Sequence, residues 1–272
     1  MKKRAITGTV ATLVLLALLY LCPVWVMCLV ACAVSVMGVY EFITSTGFVK
    51  NRAMIIAAVV FSVLVVPWAY RGEYFQSANI AVFLYAAFLF ALALGSQRQV
   101  TLEQIGGAFF ASIFIPMTLT SILRIRMMEN GIYLVLLPFI AACLNDVCAY
   151  FTGVYLGRTK MAPGISPNKT WEGSVGGIAG AVVGSFLYGL GIWYFLGLEV
   201  DWTVLVLVAI FGGAAGQFGD LCFSYIKREF KIKDYGSLLP GHGGVLDRID
   251  SILFAAPVVE LVLTVTRGIL MI

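Results

Sequence analysis

Apolar positions in this chain come in long continuous runs rather than in alternation. The runs lie near 5 to 21, 24 to 44, 53 to 70, 77 to 95, 105 to 121, 131 to 152, 173 to 197, 202 to 223 and 251 to 270. Each approaches the roughly 20 residues that a helix needs to cross a hydrocarbon core. Unbroken Leu, Val and Ala favour helices over a membrane barrel, whose strands alternate apolar and polar positions over about ten residues. The pattern predicts an all-α polytopic integral membrane protein with about nine transmembrane helices.

Only Cys22 and Pro23 separate the first two runs, and charge decides whether they form one helix or two. With the N-terminus cytoplasmic and nine spans, basic residues 2, 3, 4, 50, 52, 98, 158, 160, 169, 227, 228, 231, 233 and 248 fall inside, and 71, 124, 126 and 267 fall outside. Merging the first two runs inverts every later loop and puts most of the basic residues outside, against the positive-inside rule. Two separate spans are therefore expected. The basic start followed by a short apolar run also resembles a signal peptide. No small-x-small cleavage site stands near Tyr20 to Pro23, so the segment is expected to be retained.

Composition agrees: 61% of residues are hydrophobic and 12% charged, with a mean hydropathy of +0.98. Soluble domains carry about 25% charged residues. The net charge of +4 follows from topology and gives no support for a nucleic-acid partner. Six cysteines (22, 28, 32, 143, 148 and 222) lie in or beside apolar runs without a CxxC pair, and the chain has one histidine, which argues against structural zinc.

Ionisable groups within spans cost about 2.5 to 3.5 kcal/mol each on insertion scales, so each asks for a partner or a function. Glu41, Asp146, Asp220 and Glu260 are such groups. Glu41 reads as an interfacial side chain near a helix end that snorkels to water. Glu260, nearer mid-span, is expected to pair with another buried polar group. Gln217, Asp220, Ser224 and Lys227 fall on one helical stripe. Asp146, Tyr150 and Gly153 share another face, with Asn145 beside it, and the topology brings both carboxylates toward the cytoplasmic side.

Two polar segments follow these helices. In GRTKMAPGISPNKTWEG, residues 157 to 173, Pro163, Gly164 and Pro167 exclude a regular helix, while Arg158, Lys160 and Lys169 supply cations. On charge alone this is a topology signal that touches anionic lipid. In SYIKREFKIKDYGSLLPGHGGVLDRID, residues 224 to 250, four acids interleave with the lysines and arginines, unlike a pure lipid-binding patch. Its Gly-rich turn suits close approach of backbone N–H groups to phosphate oxygens. Asp247 and Asp250, three apart at the start of the last span, face one way on a helical turn. Carboxylates with lysine and arginine at one membrane face suit a divalent metal and phosphate together, hence phosphoryl or nucleotidyl transfer to a lipid.

Residues 224 to 250 resemble the signature of the phosphatidate cytidylyltransferases, or CDP-diacylglycerol synthases, in the pattern S-x-I-K-R, four residues, K-D-x-G-x-x-L-P-x-H-G-G-V-x-D-R-I-D. Asn145-Asp146 with Ala149-Tyr150 and Gly153, and Ile165-Ser166-Pro167 with Lys169 to Gly173, look like the same family. The resemblance divides the chain into N-terminal helices, residues 1–130, and a catalytic region, 131–272, with cytoplasmic loops 153–173 and 224–250. It implies Mg²⁺-dependent transfer of cytidylate from CTP to phosphatidic acid, with one or two metal ions, at a bacterial cytoplasmic (inner) membrane, and it is compatible with a homodimer.

For individual residues, the resemblance implies Asp220 and Asp247 as metal ligands, with Asp146 and Asp250 as second candidates. Lys227, Arg228 and Lys233 would hold the triphosphate, and Lys169 the lipid phosphate or the leaving group. Ser224, Asn145 and Arg248 join the substrate-binding set. His242 would either touch a phosphate oxygen or pin its glycine turn. A CTP-dependent lipid kinase, attacking the γ-phosphorus, and a transporter of an anionic substrate are the alternatives.

Overall fold

The computed structural model describes residues 2–71, 75–96, 100–238, 243–266 and 270–271. Helices dominate: α1 (Lys2–Leu21), α2 (Val24–Thr46), α3 (Arg52–Arg71), α4 (Phe75–Gly95) and α5 (Leu102–Met127) come first. The stretch Gly131–Leu156 is built from short α6 (Gly131–Leu134) and α7 (Leu137–Phe139), a π-helical turn at Ile140–Leu144, and α8 (Asn145–Leu156). A hairpin of β1 (Lys160–Ala162) and β2 (Ser166–Thr170) leads into α9 (Trp171–Leu196). After α10 (Trp202–Glu229) and α11 (Leu246–Val265), β4 (Leu270–Met271) pairs antiparallel with β3 (Glu199–Val200).

Among the described residues, six helical stretches are long and apolar enough to cross a membrane: Val24–Thr46, Ala78–Gly95, Leu102–Met127, Gly131–Leu156, Trp171–Leu196 and Trp202–Glu229. The chain is a multi-pass, all-α membrane protein in that sense. Large apolar side chains stand exposed on these stretches, among them Phe83 at 70%, Leu94 at 83% and Phe195 at 80%. A water-soluble surface does not expose apolar side chains on this scale, and lipid is the solvent that suits them.

Helix ends follow local chemistry. Pro23, extended at φ −68° and ψ 157°, separates α1 from α2, so the first two runs are distinct helices. Asn51 Oδ1 accepts the N–H of Ala53 (2.9 Å) to start α3, and Asp201 Oδ1 accepts that of Thr203 (2.9 Å) to start α10. Gly47 ends α2 in the left-handed region at φ 60°, where a side chain would be strained. Both ends of the second polar segment are helical, because residues 224–229 continue α10 and residues 246–250 begin α11.

The chain divides into two compact units, Met1–Thr120 with Phe230–Arg248, and Ser121–Glu229 with Ile249–Ile272. In the first, Phe61 stacks on Tyr85 at 4.0 Å, and Ser112 Oγ donates to the Tyr85 hydroxyl at 2.9 Å. Phe42 stacks on Tyr235 at 6.0 Å. In the second, close approach of α9 to α8 sets the packing. At Gly177, a methyl group would lie 2.7 Å from Asn145 Oδ1 and 2.8 Å from the Asn145 carbonyl oxygen.

Glu260, on α11, meets the Arg124 guanidinium at the end of α5. Both carboxylate oxygens are engaged, the Nη2–Oε2 contact being 2.8 Å, and Arg124 also donates to Ser121 Oγ at 3.1 Å. The partner expected for Glu260 is therefore Arg124. Removing one member leaves the other charge partly buried and uncompensated. Arg124→Met and Glu260→Met are each expected to lower stability by about 1–3 kcal/mol. The double variant should be less destabilised than the sum of the two, measured by thermal unfolding in detergent.

Candidate active site

The second unit holds an open cavity of about 680 Å³ lined by Asp146, Tyr150, Gly153, Lys169, Ser174 and Asp220, among others. Two helical faces form much of it. The stripe expected on α10 is present, since Gln217 and Asp220 line the cavity and Ser224 Oγ donates to Asp220 Oδ1 at 3.2 Å. The face expected on α8 is present too, because Asp146, Tyr150 and Gly153 all reach the cavity.

What aims Asp146 is the π-helical turn at Ile140–Leu144, directly before α8. A π turn takes in one residue more than an α turn and rotates everything after it by about 100°. Pro138 precedes this turn and cannot donate a backbone hydrogen bond.

The hairpin supplies the opposing charge. Thr170 ends β2 and caps α9 by accepting the N–H of Gly173 at 3.1 Å. Glu172 accepts the N–H groups of Arg158 and Thr159, each at 3.1 Å, and so ties the strand entry to the helix start. Lys169 is carried just before this cap, and its Nζ lies 2.6 Å from Asp220 Oδ2. Arg228 Nε donates to the Ile165 carbonyl oxygen at 3.1 Å, a second tie from α10 to the hairpin. The two polar segments that read as separate in sequence thus meet within this unit.

Three carboxylates share the neighbourhood. Asp146 interacts electrostatically with Asp220 and Lys169, and Asp250 with Asp220, Asp146 and Lys227. Asp146 Oδ2 accepts from Ser251 Oγ at 3.2 Å, and Asp250, 8% exposed, accepts the backbone N–H of Ser251 at 2.8 Å. Carboxylates and ammonium groups gathered in one place suit a divalent cation and phosphate together.

Beneath the cavity, Gln217 Nε2 donates to Asn145 Oδ1 (2.7 Å) and to the Ser174 carbonyl oxygen (2.9 Å), while Ser174 Oγ donates to Gln217 Oε1. Asn145 is fully buried, with Nδ2 3.5 Å from Asp146 Oδ1. Its side chain therefore serves the base of the cavity. Ser174 and Ser251 escaped sequence reading, since serines in apolar helices give no signal until their partners are known.

The remaining candidates lie in the first unit. Asp247 Oδ2 accepts the N–H groups of Tyr235 (2.8 Å) and Gly244 (3.1 Å), so its carboxylate closes the segment between α10 and α11. Lys233 and Arg248 are exposed. Glu41 is not an interfacial, snorkelling side chain: it is 4% exposed and accepts backbone N–H groups of Val245 and Leu246. His242 lies outside the described residues.

Among the described residues, no three His, Cys, Asp or Glu side chains form a ready-made ligand set. The donors present nonetheless fit Mg²⁺, which keeps several waters and is held by one or two carboxylates together with substrate phosphates. Asp220 and Asp146 are the carboxylates on the cavity wall.

The chain is also similar to known proteins. The model of the cytidylyltransferase family matches residues 2–266. A phosphatidate cytidylyltransferase of Bacillus subtilis (strain 168) is 32% identical over 263 residues, covering 94% of this chain and 95% of that protein. One of Thermotoga maritima is 39% identical over 162 residues, 59% of this chain and 57% of that protein. One of Brucella suis biovar 1 is 44% identical over 131 residues, 48% of this chain and 47% of that protein.

Gly177→Ala should push a methyl group into Asn145 and lower stability by about 1–3 kcal/mol through overpacking. Gly191→Ala on the same helix, where nothing lies within 4 Å, should be neutral or slightly stabilising. Paired thermal melts of the two variants check this.

Proposed function

The chain belongs to the cytidylyltransferase family, and on that premise we propose that it transfers cytidylate from CTP to phosphatidic acid, releasing CDP-diacylglycerol and pyrophosphate. The observation that carries this reading is the end-to-end match to a phosphatidate cytidylyltransferase, 94% of one chain on 95% of the other. The site geometry supports it, because an anion-handling cluster on membrane helices is what a charged lipid headgroup and a nucleotide require.

In the reaction, a phosphate oxygen of phosphatidic acid attacks the α-phosphorus of CTP. The new O–P bond forms as the bond from the α-phosphorus to the bridging oxygen breaks, and pyrophosphate leaves with that electron pair. A phosphate monoester has a second pKa of about 6, so the nucleophile is largely ionised near pH 7 without a dedicated base. The obstacle is repulsion between two anions, which bound Mg²⁺ lowers by neutralising charge between them.

Asp220 and Asp146 are the carboxylates proposed to hold the metal, with Asp247 and Asp250 as further ligands drawn from the family pattern. Lys169, whose Nζ lies 2.6 Å from Asp220 Oδ2, would be released to a phosphate oxygen of the lipid or of the leaving group if Asp220 held a metal. Lys227, Arg228 and Lys233 are assigned to the triphosphate, with Ser224, Arg248 and His242 beside it. Asn145, buried beneath the cavity, acts through Asp146 rather than by touching substrate.

The finer topology proposed with this function is nine spans with a cytoplasmic N-terminus in a bacterial inner membrane. It puts both polar segments on the side where CTP is found, and it rests on the distribution of basic residues. A homodimer is proposed from the family alone.

Purified protein with phosphatidic acid, Mg²⁺ and CTP labelled at either the α- or the γ-phosphate tests the reaction. Only α-label should enter the organic phase, and γ-label there would instead mean a lipid kinase. Asp220→Asn and Asp247→Asn should each reduce turnover by at least about a hundredfold, with helicity and elution volume unchanged. Near-normal turnover at saturating Mg²⁺ removes that residue from the site.

A further inference from the structure

Glu41 lies in the part of the chain that reads as ordinary apolar helix, yet it is bound to the signature segment. Its carboxylate accepts the N–H of Val245 at 3.0 Å and of Leu246 at 2.9 Å, partners 204 and 205 residues away. These amides stand at the start of α11, where a helix leaves its first N–H groups without intrahelical acceptors. A carboxylate there also meets the positive end of the helix dipole.

Two glycines of the signature exist in the space this carboxylate leaves. A methyl group at Gly244 would come within 2.7 Å of the Gly236 nitrogen and collide with Glu41 Oε2, and one at Gly236 would collide with Oε1. Phe42, the next residue on α2, stacks on Tyr235, which is 2% exposed. Asp247 closes the same segment by accepting from Tyr235 and Gly244. The loop is thus gripped by a carboxylate from α2 and by one from the helix it precedes.

We propose that Glu41 is a positioning residue for the nucleotide: it fixes Gly236 and residues 244–246, and so orders Lys233 and Arg248 before CTP arrives. This rests on the reading that the signature segment handles CTP. A loop rich in glycine is otherwise a wide ensemble, and the cost of ordering it would fall on nucleotide binding. Both carboxylate oxygens are used, so a carboxamide cannot replace the group. Its NH₂ would face one of the two backbone N–H groups.

The test uses full-length protein carrying Glu41→Gln or Glu41→Asp. Glu41→Gln is expected to raise KM for CTP about tenfold while KM for phosphatidic acid stays within about twofold. Glu41→Asp, which keeps the charge on a shorter stem, should be intermediate. Trypsin should also cut Glu41→Gln faster than wild type after the exposed Lys231 and Lys233, without nucleotide present. Wild-type cleavage rate and KM in Glu41→Gln would overturn the proposal, as would a fall in kcat alone or an equal rise in both KM values. Should Glu41→Gln fail to fold, Gly244→Ala, whose methyl group displaces the carboxylate, is judged by the same criteria. Wild-type protein without CTP-dependent activity would instead sink the functional reading, leaving the proteolysis comparison to decide the role of Glu41.

Discussion

An ionised side chain among apolar helices must be met by an opposite charge or by hydrogen-bond donors, and this requirement orders the fold. Glu260 is met by Arg124, Asp220 by Lys169 and Ser224, Asp146 by Ser251, and Glu41 by two backbone amides. Apart from Asp220 and Ser224, one turn apart on α10, each pairing joins elements distant in sequence. A charge that would be a burden in isolation thereby becomes the reason for a particular tertiary contact.

The pairings differ in how completely they are satisfied, and that difference separates scaffold from site. Arg124 and Glu260 engage through both carboxylate oxygens. At the cavity, Asp146, Asp220 and Lys169 line an open wall that ligands of both signs can reach. The Asn145, Gln217 and Ser174 network is closed in on itself and gives the base of the cavity one geometry.

Much of this was legible in the sequence, for a geometric reason. An uninterrupted helix repeats every 3.6 residues, so the spacing of Gln217, Asp220, Ser224 and Lys227 alone put them on one side of α10. Separation of the first two helices was legible because proline and charge distribution agreed. Glu41 was not, since its partners are backbone atoms more than 200 residues away and leave no mark in composition. Asn145 was singled out by its neighbour Asp146, but its burial comes from Gly177 on α9, which spacing could not reveal. The meeting of Lys169 with Asp220 depends on a hairpin too short and proline-rich to show strand alternation.

The π-helical turn before Asn145 works like an indexing step in a mechanism. The turn itself, Ile140–Leu144, carries no charge, and its sequence would pass for ordinary membrane filling. Yet it sets the rotational phase of every residue on α8. Winding the same residues as a regular α-helix would turn Asp146 by about 100°, away from the side it now faces, whereas losing one residue at the same time would leave its phase nearly unchanged. Change of side chain in this turn is a matter of volume, whereas change of winding is a matter of phase, and only the second moves the carboxylate.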